Sequence, residues 1–116
     1  MNVLIGSPTC LQLLTGFALA IATASVLAQN ADVVFVGADR KAGAVLHQEK
    51  NCASCHARST GGDGSGIYTR IDRKVTTPSK LLAQVAMCNT RLGGAMFPDD
   101  ERDVAAFLNH DYYRFK

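Results

Sequence analysis

The sequence predicts an all-α domain, and three observations carry that expectation. Apolar residues recur at helical spacing in three segments. Each segment is bounded by residues that start or stop a helix. No run of alternating apolar and polar residues is long enough to build a sheet. With 116 residues there is room for one domain.

The first 28 residues read differently from the rest. They contain no Asp, Glu, Lys or Arg and include the apolar run Leu11–Leu27. Val26-Leu27-Ala28 puts small residues where a signal peptidase cuts, and charged composition begins at Asp32. The pattern predicts a secretory signal peptide over 1–28 and a mature domain over 29–116. An uncleaved anchor competes, since about 17 apolar residues approach the length of a spanning helix. Its Ala and Thr residues make the run only mildly hydrophobic. Cleavage implies an exported, periplasmic protein with no stable membrane span. A net charge of +2 and the lack of an Arg/Lys stripe interleaved with aromatics give no reason to expect a nucleic-acid partner.

After a short lead containing Val33-Val34-Phe35-Val36, the first helix is expected over Asp39–Lys50. Ala42, Val45 and Leu46 form its apolar positions, and Arg40, Lys41, Glu49 and Lys50 are placed to face water. Gly43 is unfavourable inside a helix, so it points to a close approach by a second helix. Residues 57–66, with Gly61, Gly62, Gly64 and Gly66 around Asp63, read as a loop without P-loop spacing. Thr77-Pro78 then supplies an N-cap and a first-turn proline. This second helix runs through Leu81, Leu82, Val85 and Ala86 to Thr90 or Arg91, and Gly93-Gly94 stops it. The last helix starts near Pro98, with Asp99, Asp100 and Glu101 favouring its N-terminal dipole and Val104, Phe107 and Leu108 as its stripe.

Between the first helix and the glycine-rich stretch stands Cys52-Ala53-Ser54-Cys55-His56. Cys-x-x-Cys-His at a helix end is the pattern that attaches haem c. The two thiols add across the vinyl groups, and their spacing sets the sulfurs about one helical turn apart. The adjacent His56 is then the proximal iron ligand. A thioredoxin-like motif would want a βαβ setting, whereas a helix precedes this one. A zinc site built from Cys52, Cys55, His56 and Cys88 would need adjacent residues to serve one tetrahedral ion. One covalent haem c is therefore the expected cofactor, and it would supply an apolar core to a small domain.

At this point the chain resembles the class I c-type cytochromes. Gly43-Ala44-Val45-Leu46-His47 through Asn51-Cys52-Ala53-Ser54-Cys55-His56 is similar to that family's first helix and haem motif. Asp103-Val104-Ala105-Ala106-Phe107-Leu108 is similar to its C-terminal helix. The resemblance covers roughly residues 39–110 and implies the cytochrome c-like fold, three to four helices around one covalently bound haem. The family often has an aromatic where His47 stands, which makes His47 a partly exposed helix residue rather than an iron ligand.

The sixth iron position has several candidates. Cytochromes of this class have a Met there. Met96 lies two residues before Pro98, with little chain to travel, and reads as a core or haem-edge contact, though it and an open site stay as lesser alternatives; Asn89 and His110 are outsiders. Met87 and Cys88 are about 100° apart on one helix, so one of them can face the iron. Met87 has the alternative of a core position beside Leu82 and Val85. Cys88 is left over once Cys52 and Cys55 are used, and a free thiol in an oxidising compartment is liable to oxidation. Iron coordination would occupy it; an intermolecular disulfide, or simple burial as an inert thiol, competes with that role. Met87-Cys88-Asn89-Thr90-Arg91-Leu92-Gly93-Gly94 and Tyr112-Tyr113-Arg114-Phe115 also resemble the small NaxL/NaxS-type cytochromes, which implies His/Cys ligation and a second small cytochrome subunit as partner. The same segment resembles the SHP-type monohaem proteins, with Met87 where that family has its ligating asparagine and Met96 in place of its second disulfide cysteine.

The metal-ligand set carried forward is His56 with Cys88, and Met87 as the alternative. Arg70, Arg73 and Lys74 are candidates to pair with haem propionates, and Ile67 and Tyr68 to wall the ring. The expected function is one-electron transfer to a redox partner protein, without substrate turnover of its own. Thiolate ligation would lower the potential and leave room for response to NO or CO. The alternative is a haem-bearing subunit of a larger complex with His/Met ligation; the tail Tyr112–Phe115 is a candidate docking patch for it, and the competing reading folds those aromatics back onto the core.

Overall fold

A computed structural model describes residues 30–116; the segment 1–28, expected to be a signal peptide, lies outside the described residues. The elements in order are α1 (Ala31–Val34), α2 (Arg40–Glu49), α3 (Cys52–Thr60), α4 (Gly66–Thr69), α5 (Pro78–Arg91) and α6 (Pro98–Leu108), followed by a π-helical turn, Asn109–Tyr113. Among the described residues there is no strand, and the domain is all-α.

Each long helix begins where its capping chemistry puts it. The Asp39 carboxylate accepts from the backbone N–H groups of Lys41 and Ala42, at 2.8 and 3.1 Å, and opens α2. These two bonds hold its carboxyl below the usual carboxylate range. The Thr77 hydroxyl accepts from Lys80 N–H at 3.2 Å, and Pro78 occupies the first turn of α5. Asp100 accepts from Phe97 N–H at 2.9 Å at the start of α6. Three acidic residues in that first turn face the positive end of the helix dipole.

The frame is the crossing of α2 over α6. Gly43 sits at the crossing, where a Cβ would overlap the Asp103 carbonyl and lie 2.8 Å from Val104 N. A glycine therefore lets the two backbones touch. Asp39 N–H donates to Asp103 Oδ1 at 2.7 Å, and Arg102 donates to the Val36 carbonyl at 3.2 Å, so polar bonds flank the contact. The start and end of the described chain also meet, with Ala31 N–H donating to the Lys116 carbonyl at 3.0 Å.

Helix α5 is tied to α6 through one side chain. Asn89 is 4% exposed and donates to the Met96 carbonyl at 2.9 Å and to Glu101 Oε1 at 2.7 Å. Its own oxygen accepts from Met96 N–H at 3.1 Å. The amide is thus fully used, as a buried one must be. Leu81, Val85, Met96, Val104, Ala105 and Leu108 form the core between these helices, with Tyr68, Val75 and Tyr113.

One reading of the sequence is corrected. Residues 57–60, expected in the loop, continue α3, so the Cys-x-x-Cys-His motif opens a helix of nine residues. The turn into α3 is made by Asn51 in the left-handed region, φ +53°, which asparagine tolerates better than most residues. Of the two readings of the aromatic tail, the fold back onto the core is the one the structure shows. Tyr113 is buried, and Tyr112 and Phe115 pack against the core. The Asn109 side chain fastens it, accepting from Phe115 N–H at 2.9 Å and donating to the Phe115 carbonyl at 3.2 Å.

Candidate functional site

Helix α3 delivers three reactive side chains to one place. Cys52, Cys55 and His56 all line a single cavity of about 490 Å³. Their spacing of three and four residues puts them on one side of a helix. The glycine-rich loop presses against this helix from outside. At Gly64, φ +83°, a Cβ would lie 2.9 Å from Ala57 N and 3.1 Å from His56 Cβ. Only glycine combines that backbone conformation with that approach.

The opposite wall comes from α5 and the core. Leu81, Val85 and Cys88 line the cavity from α5, with Val104 and Leu108 from α6 and Met96 from the segment between. Ile67, Tyr68, Val75 and Tyr113 complete an apolar lining, while Lys50, Arg70, Arg73, Lys74 and Arg91 add positive charge. The volume and character match a cofactor site, about 300–1,000 Å³ and mostly apolar with a few placed polar groups. A larger cavity, about 610 Å³, lies between the two ends of the described residues and α6, but no cysteine lines it.

The candidates for the sixth ligand separate by position. Cys88 faces the cavity, and its sulfur accepts from Gln84 Nε2 at 3.4 Å. Met87 is 41% exposed and does not line the cavity, so the rotation of α5 turns its thioether outward. Met96 is buried and does line it. Asn89 lines the cavity with its amide already engaged. His110 is exposed beside Asp111, at 2.7 Å, on the other cavity. The structure therefore brings Cys52, Cys55, His56 and Cys88 together around one space and leaves Met87 outside it.

The thiols and imidazoles are set by burial. Desolvation pushes the Cys52 thiol up, and the neighbouring Cys88 sulfur adds to this. Desolvation lowers both His56 and His47, so each imidazole is neutral at pH 7 and keeps one lone pair free. Tyr68 is pushed well above its ordinary value, first by burial, and stays protonated.

Of the candidate propionate partners, Arg70 donates twice to Asp72, at 2.7 and 2.6 Å, in an exposed pair. Arg73 lies over the Tyr113 ring, 5.3 Å from its centroid. Both still line the cavity, as does Lys74.

Two contributors to the site had no such role in the sequence. Tyr68, expected as a wall residue, places its hydroxyl 2.7 Å from His56 Nδ1 and 2.9 Å from His47 Nε2. His47 is half-buried on the cavity wall, its ring 5.4 Å from that of Phe107. The signal for it was the histidine where the resembled family often has an aromatic.

The residues fit a haem c. Two free thiols and a neutral imidazole meet at an apolar cavity, a second sulfur faces the same space, and cations stand by for carboxylates. A bare metal ion fits less well, since no three His, Cys, Asp or Glu side chains among the described residues are grouped to hold one. No helix among the described residues is long and apolar enough to cross a membrane. No family model, no curated protein and no solved structure matches the chain.

Proposed function

We propose that this chain is an exported monohaem c-type cytochrome that passes single electrons. The observation that carries the reading is the convergence of Cys52, Cys55 and His56 from α3 with Cys88 from α5 on one apolar cavity. Cys52 and Cys55 would hold the porphyrin through thioether bonds, each S–H adding across a vinyl group. His56 and Cys88, which line the same cavity, would hold its iron. When bound, the haem supplies a one-electron ferric/ferrous couple.

The chain's own residues set the terms of that couple. The wall of Leu81, Val85, Val104 and Leu108 gives the cavity an apolar side, and a lower local dielectric there would strengthen charge interactions. An anionic Cys88 sulfur favours ferric iron and lowers the potential. Arg73 and Lys74 line the cavity where they could neutralise propionates.

The test is production in a host that attaches haem c to exported proteins. A covalently bound haem, seen by mass and by its pyridine haemochrome spectrum, supports the reading. Replacing Cys52 and Cys55 together by alanine should abolish attachment. A mature protein that emerges colourless from that host would refute it.

A second reading rests on Cys88 itself. Its sulfur has one weak hydrogen-bond donor, Gln84, on a half-exposed position, so little besides the iron bond would hold it against NO or CO. An unchanged ferrous spectrum under both gases would dismiss that reading.

A further inference from the structure

We propose that Tyr68 and His47 form a directed hydrogen-bond relay behind His56 that fixes its tautomer and strengthens it as an iron ligand. The inference rests on the haem reading above, with His56 and Tyr68 acting through geometry already in place.

The direction of the relay follows from proton bookkeeping. Binding iron through Nε2 requires a lone pair on that nitrogen, so a neutral His56 carries its proton on Nδ1. Nδ1 lies 2.7 Å from Tyr68 Oη, and therefore donates to it. The Tyr68 hydroxyl has a proton of its own, in a residue 5% exposed, and a buried donor needs an acceptor. His47 Nε2, 2.9 Å away, accepts it, which assigns the Nδ1–H tautomer to His47. The chain runs His56 Nδ1–H to Tyr68 Oη–H to His47 Nε2.

The hydroxyl is held where the relay needs it. Tyr68 stands in α4, its ring 5.2 Å from the His56 ring in an edge arrangement. Tyr112 and Tyr113 pack against it at 5.0 and 6.0 Å. His47 is braced on Phe107. Tyr68, itself part of the core, cannot turn away without opening it.

An acceptor on the remote nitrogen makes a ligating imidazole more basic, and it fixes the ring's orientation. Donation onward to His47 polarises the Tyr68 oxygen and improves it as that acceptor. A more basic imidazole favours ferric iron, so the relay lowers the potential. Tyr68 and His47 are positioning residues: His56 touches the iron, and they act through His56.

The test is potentiometric titration of the haem-loaded protein and its Tyr68→Phe, His47→Phe, His47→Gln and doubly substituted Tyr68→Phe/His47→Phe forms. Tyr68→Phe should raise the reduced-to-oxidised ratio at fixed poise about tenfold, ~59 mV for one electron. His47→Phe should act in the same direction but less. His47→Gln, whose Oε1 can accept in place of Nε2, should restore most of the wild-type value. In the double variant the His47 change should add nothing, because its route through Tyr68 is gone. An unmoved potential in Tyr68→Phe, or additive shifts in the double variant, overturns the relay while leaving the cytochrome standing. A protein without a haemochrome spectrum overturns both, before any titration.

Discussion

Gly43 and Asp103 meet backbone to backbone where α2 crosses α6, with no room for even one methyl group between them. Because the obstruction is main chain rather than a flexible side chain, the helices themselves would have to separate. Gly43→Ala should therefore destabilise the domain by at least about 1–3 kcal/mol, the usual range for overpacking, despite alanine's better helix propensity. A urea midpoint equal to or above wild type would show that the crossing is looser than this.

Asn89 has the other structural role that a single substitution can expose. Replacing it by alanine leaves Met96 N–H and the Met96 carbonyl without their partner in a buried place. A cost of about 2–4 kcal/mol is expected, from the penalty of orphaned buried polar groups. The Met96 end of the segment Leu92–Phe97 should also become a protease site, because the Asn89 amide is what ties it down, while backbone bonds hold Leu92 to Gly94 on α5. Limited proteolysis of both proteins under native conditions compares them directly.

The placement of the sulfurs on α5 makes the ligand question sharp. In the haem-loaded protein Cys88→Ser should remove a thiolate-type low-spin ferric EPR signal, while Met87→Leu should leave it unchanged. Met96→Leu should also preserve the signal, since Met96 serves as a packing residue beside Asn89. Loss of the low-spin spectrum in Met87→Leu would mean that α5 rotates when the cofactor is in place.

His47 gives the stability of the protein a pH dependence with a definite sign. Burial lowers its folded-state value below its ordinary 6.5, with the His56 charge a lesser cause. Between the folded and unfolded values the unfolded chain binds the extra proton, so stability rises with pH there. The contribution is complete above about pH 6.5 and is lost as the pH falls towards the lowered folded value. Denaturation midpoints of the haem-loaded protein between pH 8 and pH 5 should decline on the acid side. His47→Phe should decline less steeply; parallel curves would remove His47 as the source.

Much of this protein is written locally. Asp39, Thr77-Pro78 and Pro98 start helices because each satisfies or spares backbone donors within four residues of itself. Cys52, Cys55 and His56 share a side because their spacing is that of a helical turn, and this holds wherever the helix is packed. The continuation of α3 to Thr60 was less legible, since Arg58, Ser59 and Thr60 carry no apolar stripe to mark it.

The sequence by itself determined the helical class, the helix starts and the thiol–imidazole motif, all properties of neighbours along the chain. Only the tertiary structure decided which face of α5 turns inward, and so that Cys88 rather than Met87 lines the cavity. It also decided that a tyrosine 12 residues from His56 and 21 from His47 would stand between them. Such pairings depend on how the glycine-rich loop closes and how α2 seats on α6, and a periodic pattern carries no record of either.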